Sequence, residues 1–103
     1  MAKTNFTWGK PRTLITYDLS NNEVSASEIA KASNNLLHTY VIMEKDTHQY
    51  ALPNTTLWFS GSKEQAQATF IAAFQRAKPF GSSCSVNRIL TTEIGGESSH
   101  IED

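Results

Sequence analysis

Cysteine, proline and net charge are all scarce in this chain of 103 residues. The single cysteine, Cys84, excludes an intrachain disulfide and a cysteine-built zinc site. It stands in a Gly-Ser-Ser-Cys-Ser loop with no basic neighbour to favour a thiolate, so it reads as structural rather than nucleophilic. Unpaired cysteine fits a reducing, cytosolic setting. No apolar run approaches the roughly 20 residues of a membrane-spanning helix, and the start, MAKTNFTWGKPR, has no apolar core of a signal peptide. The sequons at Asn5 and Asn54 are therefore read as chance matches. P-loop, HExxH, CxxC and GxSxG motifs are all missing. A chain of this length makes one domain and excludes a Rossmann or barrel enzyme.

The net charge of -1 hides an asymmetry. Glu97, Glu102 and Asp103 place three negative charges in the last seven residues, which leaves +2 on the rest. Lys3, Lys10 and Arg12 make the start basic. This falls short of the usual basic footprint of a nucleic-acid-binding protein.

Residues 1–11, polar apart from Phe6 and Trp8, read as an N-terminal arm. A domain over 12–94 follows, and Gly95-Gly96 opens an acidic flexible tail over 95–103 with His100 in it. Thr13 to Leu19 is β-branched and aromatic, and Ser20-Asn21-Asn22 punctuates it, which predicts a first strand. Ser25 and Glu28 have capping-box spacing before a helical stripe that runs from Ala26 to Leu37. His38–Met43 predicts a second strand, 44–49 a loop or hairpin tip, and Thr55–Phe59 a third strand. Ser62 and Gln65 cap the clearest amphipathic stripe, Ala66 to Ala77, which Lys78-Pro79 stops. Val86–Ile94 is the last strand. The order β-α-β-β-α-β predicts an α+β, ferredoxin-like fold, with a four-stranded antiparallel sheet and both helices on one face. The uncovered face, with Leu14, Thr16 and Asp18 on it, favours a homodimer.

Four features bear on chemistry. Asp18 ends a hydrophobic strand, where a carboxylate can hold Mg²⁺ or simply cap the next turn. Glu44, Asp46 and His48 alternate as an oxygen and nitrogen ligand set would, although a solvated hairpin tip explains them as well. His38 is expected just after a helix C-terminus, where its protonated ring would meet the macrodipole favourably. Arg12 and Arg88, on neighbouring strands, suggest a phosphate patch, and Tyr17 a strand aromatic of the kind that stacks bases. Solvated edge charges and core rings are the plainer readings of these three.

Leu14-Ile15-Thr16-Tyr17-Asp18-Leu19, opening a β-α-β-β-α-β chain of about a hundred residues, resembles the small CRISPR-associated ferredoxin-like nucleases. It is also similar to their SinR-like, VapD-type toxin and GhoS-type endoribonuclease antitoxin relatives. The resemblance implies a homodimeric, Mg²⁺-dependent endoribonuclease acting on RNA, with Asp18 as the metal-linked acid near the dimer axis. Two departures are visible. Ser20 to Ser27 carries no arginine, and Leu52–Trp58 leads into the third strand in an unfamiliar way. A non-catalytic protein–protein interaction module is the alternative reading.

Overall fold

The structure, a computed structural model, describes residues 2–7, 12–43 and 47–102. Trp8, Lys10, Pro11, Glu44, Asp46 and Asp103 lie outside the described residues. The elements run β1 (Ala2–Thr7), β2 (Arg12–Leu19), α1 (Ala26–Lys31), β3 (Leu36–Leu37), β4 (Thr39–Met43), β5 (Thr47–Ala51), β6 (Thr56–Phe59), α2 (Lys63–Ala77), β7 (Val86–Ile94) and β8 (Glu97–Glu102). A four-stranded antiparallel sheet of order β3-β6-β2-β7 carries the helices, which makes the chain an α+β protein.

Strand β2 alternates as its sequence demands. Thr13, Ile15 and Tyr17 are buried, while Thr16 and Asp18 are exposed on the opposite side. Helix α2 meets the buried side with Ala66, Phe70, Ala73 and Phe74, spaced i, i+4, i+7 and i+8 along one stripe. Helix α1 adds Ile29 and Ala30 to the same core. Cys84 is wholly buried there, and its thiol donates to the carbonyl of Asn21 at 3.9 Å. Both capping boxes predicted from sequence form, at Ser25/Glu28 and at Ser62/Gln65.

Helix α1 is shorter than its apolar stripe suggests. It ends at Lys31, and Ser33 takes the amide of Asn35 in a local turn. Leu36 and Leu37, counted in the helical pattern, instead pair with Phe59 and Trp58 as strand β3. Burial of Leu36 to 1% exposure in the sheet core outweighs one more turn of a helix whose continuation would have to hold Asn34 and Asn35. The second strand also differs from expectation. The chain bends at His38, and β4 leaves the main sheet to form a separate hairpin with β5, a strand where the sequence suggests a loop. The amide of Leu52 closes that hairpin onto the carbonyl of His38 at 2.9 Å.

The arm and the tail are also strands. Ala2–Thr7 pairs antiparallel with Glu97–Glu102 as a ribbon. The cause is topological. These segments flank β2 and β7, which are already neighbours, so each delivers the other's partner. Gly96, at φ 74°, supplies the left-handed turn into β8.

Candidate functional site at the end of the first sheet strand

The sheet brings Asp18 and Arg88 directly opposite one another on β2 and β7. The Arg88 Nε donates to Asp18 Oδ2 at 3.1 Å, and both side chains are mostly exposed. An exposed pair of this kind is worth about 0–1 kcal/mol to stability, but it places a cation on the carboxylate. Just beyond it the register slips, so that Leu19 pairs with Val86. The two chains then stay joined through Ser20, whose amide donates to the carbonyl of Ser85 and whose hydroxyl accepts from the amide of Ser85, both at 2.9 Å. The side chain of Asn21 folds back to accept from the amide of Glu23 at 3.0 Å, an Asx turn. Ser82 donates to the Glu23 carboxylate and fixes the loop from the other side.

These turns open a cleft of about 610 Å³ between the loop after β2 and the loop before β6. Asp18, Asn21, His38, Pro53 and Asn54 line it, with Tyr17 behind them. Among the described residues, its lining contains no lysine or arginine. Its amides and hydroxyls suit hydrogen bonding to an uncharged polar group better than anion binding. The sequence gives only an indirect sign of the cleft, the paired turn signals Asn21-Asn22 and Pro53-Asn54 that form its two lips.

The candidate residues do not converge. Arg12 pairs with Ile94, six rows along β2 from Asp18 and Arg88, a separation of roughly 20 Å at strand rise. Its guanidinium lies over the ring of Trp58, 5.4 Å from the centroid. A phosphate patch of Arg12 with Arg88 is therefore not assembled within one chain. Tyr17 faces the helices, 2% exposed, with its ring 4.8 Å from that of Phe70 and tilted by 44°. It offers no face to a base, because an odd position on β2 belongs to the core side. Burial pushes its phenol up to about 12. No hydrogen bond reaches its hydroxyl among the described residues. His38 sits at the bend after β3, seven residues past the end of α1 at Lys31, and lines the cleft with Ser25 and Ala26 at the start of that helix instead of following its C-terminus. His100, expected in a disordered tail, donates through Nε2 to the carbonyl of Ala51 at 3.0 Å.

Among the described residues a divalent cation at Asp18 would find one carboxylate, with a guanidinium already on it, and that donor set does not fit the ion. Among the described residues no three His, Cys, Asp or Glu side chains gather as a metal-holding group. None of their helices is long and apolar enough to cross a membrane. Compared with known proteins, the chain matches no family model, no curated protein and no solved structure.

Proposed function

We propose that this chain is a ferredoxin-like, non-catalytic interaction module whose working form is a homodimer. The strand order β7-β2-β6-β3, with one helix between the first two strands of that fold and one between the last two, supports the fold. The observation that carries the function is the unfinished sheet. The helices pack on one face only, β7 has no neighbour on its outer side among the described residues, and Leu90 at its centre is 65% exposed. An apolar side chain on an unpaired strand gains from a partner. Sedimentation equilibrium at micromolar concentration tests the reading, with a dimer expected. A monomer at all concentrations removes it.

A second reading keeps Asp18 as the acid of an RNA phosphodiesterase. Its support is that Asp18 lies exposed on the uncovered face, where a second copy can bring a second carboxylate near it. In that reading Asp18→Asn abolishes metal-dependent cleavage of single-stranded RNA while the fold is kept. Cleavage that persists in the variant, or no RNA binding at low salt, leaves the interaction module alone.

A further inference from the structure

Tyr17 brings a hydroxyl to the cleft beside β2 and finds no partner for it there. The residue is 2% exposed and lines the cleft. No hydrogen bond from the described residues reaches its hydroxyl. Buried polar groups in folded proteins are nearly always paired, so an orphan of this kind calls for a reason. Burial holds the phenol protonated up to about 12, which keeps it a donor. The ring is packed on Phe70, 4.8 Å between centroids, and that contact fixes where the hydroxyl stands.

The walls around it are held in place. The Tyr17 amide donates to the carbonyl of Thr55 at 3.2 Å, the Leu52 amide to that of His38 at 2.9 Å, and the Thr56 amide to that of Pro53 at 2.9 Å. Three separate segments of chain are thereby tied to one another. Asn21 commits its side-chain oxygen to the Asx turn with Glu23, and its side-chain nitrogen is left as a second donor. His38 and Asn54 can each donate and accept, and no side-chain hydrogen bond among the described residues occupies either. Leu19, Val24 and Leu52 add apolar wall. The volume of about 610 Å³ lies within the range of small-molecule sites, roughly 300–1,000 Å³.

We infer that this cleft binds a small uncharged molecule through an amide-type group, whose carbonyl oxygen accepts from the Tyr17 hydroxyl while Asn21, His38 and Asn54 meet the rest of its polar edge. An anion is a poorer occupant. Among the described residues the lining has no lysine or arginine, and Arg88 nearby already sits on Asp18. The residues named all belong to one chain, so the inference goes beyond the dimer reading and does not depend on it. It also gives the orphan hydroxyl a purpose: the group costs the free protein stability and recovers that cost when a ligand carbonyl pairs with it.

Backbone amide NMR spectra of the full chain, titrated with uracil, cyclic diglycine and orotate, test this. Uracil and cyclic diglycine are neutral amides of two different origins, and orotate is uracil with a carboxylate added. At least one of the neutral pair is expected to shift the signals of residues 21–27 and 52–55 saturably at millimolar concentration, and which one does so tells a base-like ligand from a peptide-like one. Orotate is expected to bind more weakly than uracil. Tyr17→Phe, which keeps the ring and the fold, is expected to weaken the neutral ligand about tenfold. No saturable shift with either neutral amide overturns the site and leaves the hydroxyl to solvent. Orotate binding as tightly as uracil, or unchanged affinity in Tyr17→Phe, overturns the assigned chemistry.

Discussion

Replacing Tyr17 by Phe should stabilise this protein, against the usual sign of a core substitution. Tyr17 is 2% exposed, and its ring is held against Phe70 in a contact that phenylalanine would keep. Its hydroxyl has no hydrogen-bond partner among the described residues. A buried hydroxyl without a partner costs about 1–3 kcal/mol, so deleting it while keeping the ring should return about 1 kcal/mol. In a domain of this size that raises Tm by roughly 4–8 °C. The pH dependence gives an independent reading of the same group. Burial holds the native phenol at about 12 against 10.0 for the ordinary group. Between those values the unfolded chain has released a proton that the native state keeps, so native stability falls as pH rises. The slope reaches about 1.4 kcal/mol per pH unit, and the loss by pH 12 is on the order of 2–3 kcal/mol, a large part of a typical 5–15 kcal/mol. Below pH 10 the effect is absent. Urea unfolding of wild type and Tyr17→Phe at pH 7, 10 and 11.5 separates this residue from the other tyrosines and the lysines, which titrate in both proteins. The variant should be more stable at pH 7, and its advantage should widen above pH 10. Destabilisation by about 1 kcal/mol or more at pH 7, with parallel pH profiles, would falsify the reasoning and show that the hydroxyl has a partner.

Two further substitutions probe the frame around the site. A Cβ at Gly61 would stand 2.5 Å from Phe59 Cε1 and 2.9 Å from Gln65 Oε1, and the carbonyl of Gly61 accepts the hydroxyl of buried Thr13 at 2.8 Å. Gly61→Ala must push a core ring aside and should lose about 1–3 kcal/mol by urea titration, and a neutral result would show that the ring moves freely. Asp18→Asn should change stability by less than about 1 kcal/mol at low salt and by less still at high salt, because its partner is exposed. A larger, salt-independent loss would mean that Asp18 supports the loop rather than standing at a surface.

The parts of the fold that the sequence announces are those where local and tertiary preferences agree. Strand β2 alternates cleanly, α2 has a cap, an apolar stripe and a Lys78-Pro79 stop, and β7 matches its predicted bounds at both ends. The misreadings fall where the two preferences compete. Leu36 and Leu37 fit a helical stripe by spacing and a strand by partner, and only the presence of Phe59 and Trp58 opposite decides between them. Thr47–Ala51 has no alternation to mark it and becomes a strand because β4 lies beside it. The β1–β8 ribbon depends on two ends of the chain that sequence windows never compare.

The same logic separates the candidate residues. Tyr17 and Asp18 are adjacent in sequence and read as a pair, yet period-two alternation sends one into the core and the other to the surface. Any chemistry that needs both side chains in one site is therefore barred to a single sheet. Arg12 and Arg88, on neighbouring strands, are kept apart by an antiparallel register that sets the start of one strand beside the end of the other. What remains beside Asp18 is a polar cleft whose described lining residues include no lysine or arginine. That favours recognition of uncharged groups over cleavage of a polyanion, and RNA binding that steepens with falling salt is the observation that would reverse this preference.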